Sequence, residues 1–430
     1  MEKQIEEANE MIRSILEAND FLIDKYKSGE IGKYAYLLQD VCDGIETVNC
    51  TIFELYAVNV GVDLEAYTGR FLEENADFAG ENEITDWARR ATEILSKPPV
   101  KQEPAQQPHK AVNHASYMID NQFYVLMENI KNTDKTKLEY SIKKNLAKMK
   151  SKNVQAYQFY IDFCNQYNFW GKLDPSKGIY SQIQDRVSVL KDHYDDFIWM
   201  YSRLEDYRSK KVFYGVLHYW LTYEWEPLEE IRENNYCQYF DLDLLQCDSN
   251  EVVVDLGAYI GDTAVDYVNS YGRDNYKRIY CYEIMPENVQ SIHNTIDENH
   301  LKNIVVCPKG ASDKSGSMFI STDTPAGNAH RLAENGQIEV PTAAIDDEIK
   351  ELITLIKMDI EGAEQSALLG CKQHIMNEHP KLALSAYHNN VDLWKLARMV
   401  EEMDPTYHFY MRFYGDPNSI FPADYVLIGI

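Results

Sequence analysis

The chain has 430 residues, 45% of them hydrophobic, enough for two or three domains each with its own core. Its 42 Lys and Arg against 69 Asp and Glu leave a formal charge of -27. With no dense basic patch to offset it, that charge argues against nucleic acid and anionic membranes as partners. Mean hydropathy is -0.46. No run approaches the roughly 20 apolar residues of a membrane span, and the first residues lack the basic-then-apolar pattern of a secretory leader, so the expectation is a cytoplasmic protein. The eight cysteines form no CxxC pair and no zinc-ligand spacing with histidine, so neither a disulfide framework nor a structural zinc is expected.

Residues 1–97 read as an acidic α-helical bundle. The first 100 residues hold 9 Lys and Arg against 21 Asp and Glu. Leu38, Val41, Ile45, Val48, Ile52 and Leu55 step by three and four, the period of a helix face that packs on a core. Such a bundle could dock a protein partner, and the heptad-like stripe could pair chains into a homo-oligomer. Residues 98–110 carry prolines among polar residues and read as an extended linker. Residues 111–247 are helical and rich in aromatics, with helices predicted over 117–130, 138–149 and 187–207 and a ring-dense segment over 212–225. That segment reads as a buried helix packed against the next domain, or else as a wall of a substrate pocket.

From 248 to 430 short β-branched runs alternate with helical segments. Strands are expected over 251–256, 278–282, 303–306, 352–358 and 381–386, with helices over 260–271, 286–298, 362–375 and 391–403. This alternation means βαβ units: an α/β, Rossmann-like, doubly wound parallel sheet. Runs at 407–414 and 424–430, separated by Gly-Asp-Pro-Asn-Ser, add a terminal antiparallel hairpin.

Three strand ends carry chemistry. In Val-Val-Val-Asp255-Leu-Gly257-Ala258-Tyr259-Ile-Gly261-Asp262-Thr263 a buried strand enters a glycine-rich turn and then a helix. The glycines let a ligand approach the backbone, and the helix start offers free N–H groups. The spacing is not the G-x-G-x-x-G of dinucleotide sites, and Asp255 suits an ammonium or a bridging water. Glu283 closes the second strand, where a carboxylate can accept bonds from both hydroxyls of a ribose. Ile356-Lys-Met-Asp359-Ile-Glu361-Gly-Ala-Glu364 ends another strand in three acids, which crowd at a cost unless they bind something. Glu361 and Glu364 could equally be acids that favour a helix N-terminus.

Taken in order, these motifs together with Pro286-Glu-Asn288, Ala311-Ser-Asp313, Ala344-Ile-Asp346 and Lys381-Leu-Ala-Leu-Ser-Ala-Tyr-His388 resemble the FkbM-type methyltransferases over about 180 residues, 250–430. The resemblance implies a class I methyltransferase fold, S-adenosylmethionine as methyl donor, and O-methylation of a hydroxyl on a sugar, glycan or other small molecule. It implies cofactor contacts at Asp255, Gly257, Gly261 and Glu283. Ala258, Tyr259, Asp262, Thr263, Asn288, Gly310, Ala311 and Asp359 complete the expected cofactor set.

Methyl transfer to a hydroxyl is an in-line displacement that needs alignment and a base. The candidates are His388, which ordinarily titrates near neutrality, with Asp359 and Glu361. Two other readings remain open: a non-catalytic cofactor-binding scaffold whose N-terminal bundle docks a partner, and a protein methyltransferase.

Overall fold

The computed structural model describes residues 117–167, 169–321, 331–333, 338–415 and 423–430. The chain divides into two compact units, Met1–Val112 and Asn113–Ile430, and the described residues all belong to the second. The expected bundle over 1–97 and linker over 98–110 lie outside the described residues.

A seven-stranded sheet organises the second unit. Its strands are β1 Val252–Leu256, β2 Arg278–Tyr282, β3 Ile304–Cys307, β4 Leu355–Met358, β5 Lys381–Ser385, β6 Phe409–Phe413 and β7 Tyr425–Gly429. Their order is β6-β7-β5-β4-β1-β2-β3. The five from β5 to β3 run parallel, and the β6–β7 hairpin joins β5 antiparallel. This is the class I methyltransferase arrangement, with strand order reversing between β1 and β4. Ligands of doubly wound sheets bind at such a reversal, beyond the carboxyl ends of the strands.

The reason these segments form central strands is visible in their two-residue alternation. Val253, Ile279, Leu355, Ala383 and Ile428 belong to one apolar core with Ala264, Tyr267 and Ile292. Val252, Val254, Leu256, Ile356, Met358, Leu382 and Leu384 belong to the other. Successive side chains of a strand point to opposite faces, so near-continuous apolar runs bury both. The first core is closed by α7 Asp262–Tyr271 and α8 Pro286–Glu298. The second is closed by α9 Glu364–Gly370, α10 Lys372–Glu378 and α11 Asp392–Met403. The sequence pattern predicts no strands over 310–343, yet Gly310–Ala311, Gly316–Ser321, Arg331–Ala333 and Ile338–Ala343 form a separate four-stranded sheet.

Before β1 come α1 Met118–Asn132, α2 Lys135–Lys152, α3 Val154–Tyr167, α4 Ser181–Asp192, α5 Tyr194–Arg203 and α6 Tyr207–Thr222. The single helix expected over 187–207 is in fact the end of α4, all of α5 and the start of α6. The chain leaves helical geometry at His193, and Asp206 caps α6 by accepting from the Ser209 N–H at 2.7 Å. The ring-dense segment is a buried helix, with Val212, Phe213, Leu217, Tyr219 and Trp220 in the core shared with the sheet. Arg412 of β6 fastens the two parts: Nε donates to Asp241 Oδ2 at 2.6 Å and a terminal nitrogen to Asp206 Oδ2 at 2.7 Å. Among the described residues no helix is long and apolar enough to cross a membrane.

Candidate active site

A cleft of about 410 Å³ opens beyond the carboxyl ends of β1, β2 and β4. Its size falls in the range of small-molecule sites. Of the residues expected at the site, Gly257, Tyr259, Asp262, Thr263, Glu283, Asn288, Gly310, Ala311, Asp359 and Glu361 line it. Tyr167, Gln238 and Tyr239 reach it from the helical part of the chain.

Three expected cofactor residues stand elsewhere. Ala258 and Gly261 are not in the cleft wall, and neither is Asp255. Asp255 pairs in register with Lys357 of β4, points toward the same face, and is 1% exposed. The residue that meets the cleft there is Lys357. Its ammonium lies 2.9 Å from Asp255 Oδ1 and donates a further hydrogen bond to the Gly257 carbonyl at 2.7 Å. Burial pushes the Asp255 carboxyl up, against the pull of Lys357. Burial also works against the Lys357 charge, but Asp255 and Asp359 outweigh it and raise the ammonium above its ordinary value.

The glycine turn serves packing as much as access. Gly257 has φ +83°, and a Cβ there would sit 1.9 Å from the Asp359 carbonyl oxygen. The β1 turn and the end of β4 approach too closely for any side chain. Glu283 accepts at Oε2 from the Tyr259 N–H (3.0 Å) and at Oε1 from the Ile284 and Met285 N–H groups (2.7 and 2.9 Å). Burial raises its pKa while those donors hold it back. The carboxylate is thus fixed at the cleft wall by backbone and by the Asn288 side chain.

Asp359 sits at the centre of the acid cluster. The Tyr239 hydroxyl donates to its Oδ2 at 2.6 Å, and the Tyr387 hydroxyl lies 3.3 Å from Oδ1. Burial would raise its pKa, but His388, Lys357 and Tyr239 together keep it below the usual carboxylate range. Glu361 stands beside it in a left-handed backbone conformation, φ 57°. A non-glycine residue held there carries strain of the kind that gathers at functional sites.

His388 is not the near-neutral base its residue type suggests, and it does not line the cleft. It is 1% exposed and lies behind Asp359 and Glu361. Its Nδ1 is 2.8 Å from Glu364 Oε1, and its Nε2 is 3.4 Å from Asp359 Oδ1 and 3.7 Å from Glu361 Oε2. Burial favours the neutral ring, yet Glu364, Asp359 and Glu361 prevail and lift it to about 10. At neutral pH it is an imidazolium that cannot accept a proton. One ligand atom from each of Asp359, Glu364 and His388 lies within 4.8 Å of the others, a spacing that could hold a cation. Trp170 and Phe169 pack over this corner: the Trp170 indole donates to the Tyr387 carbonyl at 2.9 Å, and the Phe169 ring lies 5.1 Å from His388.

Residues 255–414 match the model of the methyltransferase FkbM domain. The chain carries an FkbM methyltransferase domain. Among solved structures it is similar to the FkbM methyltransferase of Methylobacillus flagellatus KT, at 25% identity over 64% of this chain and 70% of that one, TM-score 0.49. A precorrin-6y C5,15-methyltransferase from Geobacter metallireducens GS-15 gives 16% identity over 43% of this chain and 80% of that one, TM-score 0.27. Aeropyrum pernix fibrillarin, solved with bound S-adenosyl-L-methionine, gives 10% over 43% and 67%, TM-score 0.27. No curated protein sequence matches the chain.

Two residues of the cleft wall go beyond those expected from the sequence, Lys357 and Tyr239. Lys357 has a signal there: a lone charge between apolar neighbours in a buried strand must have a partner. Tyr239 has none, since it lies in irregular chain before the matched residues and is placed by a left-handed turn, φ 73°.

Proposed function

We propose that the FkbM domain uses S-adenosylmethionine to methylate a hydroxyl on an uncharged small molecule, sugar or glycan. The observation that carries this reading is the acidic cleft itself. Asp262, Asp266, Glu283, Asp359 and Glu361 line it against two lysines, each beside a further carboxylate, Lys357 by Asp255 and Lys309 by Glu348, so the wall is negative on balance. Such a wall favours a cationic sulfonium and disfavours an anionic acceptor. The residues present also fit the cofactor's other parts, with the backbone-anchored Glu283 carboxylate suited to a pair of ribose hydroxyls.

When bound, S-adenosylmethionine supplies an electrophilic methyl on a positively charged sulfur. The protein's share is alignment and proton removal. An acceptor hydroxyl would have to give up its proton as it took the methyl group from the cofactor's sulfur. Glu361, in the cleft wall, receives that proton. Asp359, held ionised by His388 and tied to Tyr239, orients the hydroxyl. Tyr167 and Tyr239 line the cleft from the helical side.

Titration calorimetry of the full chain with S-adenosylmethionine and S-adenosylhomocysteine tests the reading. Binding near one per chain is expected. Glu283→Ala should weaken it by about tenfold to a hundredfold, the worth of hydrogen bonds to a charged group. Absence of binding by the unaltered chain would remove the proposal.

A further inference from the structure

The proposed cofactor carries an amino acid, whose carboxylate needs a home in a cleft walled by acids. Only two cations line that cleft among the described residues. Lys309 is half-exposed and bound to Glu348. Lys357 is nearly fully buried, at the junction of β1 and β4 beneath Gly257.

An ammonium has three N–H donors. Lys357 uses one on the Gly257 carbonyl and one on Asp255 at 2.9 Å, which leaves the third for the cleft that it lines, where the Tyr239 ring lies 5.1 Å away. No further acceptor is within hydrogen-bond reach of it among the described residues. Its stem is fixed in the strand, and its charged state is enforced by Asp255 and Asp359. It is therefore a preordered cation at the floor of the site. Asp359 and Asp262, which also line the cleft, are both close enough to act on the Lys357 charge.

We infer that Lys357 is the subsite for the carboxylate of the cofactor's methionine half, with the neighbouring Asp262 and Asp359 taking its ammonium, so that this half is recognised as a zwitterion. The inference rests on the cofactor reading above. A carboxylate arriving alone would be repelled by the acids around Lys357. The adjacent ammonium of the same ligand offsets that repulsion, which makes the site selective for an amino acid over a simple anion.

The test compares S-adenosylhomocysteine with its decarboxylated analogue, which keeps adenosine, sulfur and amine and lacks only the carboxylate. Calorimetry on the full chain should show the analogue binding about tenfold to a hundredfold more weakly. In Lys357→Met that difference should vanish, through loss of affinity for S-adenosylhomocysteine alone. Because Lys357→Met strands a buried Asp255, the charge-balanced Asp255→Asn/Lys357→Met variant is measured beside it. Equal binding of both ligands by the unaltered chain would overturn the inference while leaving the cofactor reading intact. So would an equal loss for both ligands in the double variant, the mark of a structural role. If neither ligand binds the unaltered chain, the cofactor reading falls and the subsite with it.

Discussion

Replacing His388 with glutamine tests whether this histidine is a buried cation or a base. The ring is 1% exposed, and its carboxylate neighbours raise it from 6.5 to about 10. At about 1.4 kcal/mol for each tenfold change, that displacement favours the charged ring in the folded state by about 5 kcal/mol. The folded value lies above the unfolded one, so the stabilisation is fully present below pH 6.5 and is lost as pH rises through 10. Between about pH 8 and pH 10 the loss comes to about 2 kcal/mol. Asp392, raised to about 6 by burial and by Glu364, acts at lower pH: its contribution fades as pH rises from 3.8 to about 6. The upper window therefore lies clear of Asp392. Urea denaturation of the unaltered chain and of His388→Gln at about pH 8, 9 and 10 should show their stability difference shrinking by that amount. A difference that stays constant across the window would refute the buried imidazolium and restore His388 as a candidate base.

Gly257→Ala should be among the most damaging single changes, because its Cβ would meet the Asp359 carbonyl at 1.9 Å from a backbone at φ +83°. A loss of about 3 kcal/mol or more in the urea-unfolding free energy is expected. Arg412→Leu should cost about 3–5 kcal/mol in the same measurement, since it leaves the fully buried Asp241 without its counter-ion. Arg412→Lys should recover only part of that loss, because a point charge cannot bridge Asp241 and Asp206 as the guanidinium does.

The sheet was legible in the sequence because its signal is local. Val252–Leu256 is buried on both faces, so its apolar run stands out whatever surrounds it. The turn after it and the acid at the end of β2 keep fixed offsets along the chain, so the place of the cleft could be read from spacing. The small sheet over 310–343 was not legible, since its short strands carry no period long enough to separate them from loop.

What tertiary structure decided was the role of each charge. Asp255 and Lys357 are far apart along the chain and meet only because β1 and β4 lie side by side in register. That meeting turns the expected ligand contact into a buried counter-ion and presents its partner to the cleft. His388 has its ordinary pKa in an extended chain. It becomes a fixed cation because the fold gathers Asp359, Glu361 and Glu364 around it and excludes water. A residue's type and position in a motif come from the chain itself, but its protonation depends on the potential and the solvent at one point in space, which exist only once distant segments have packed.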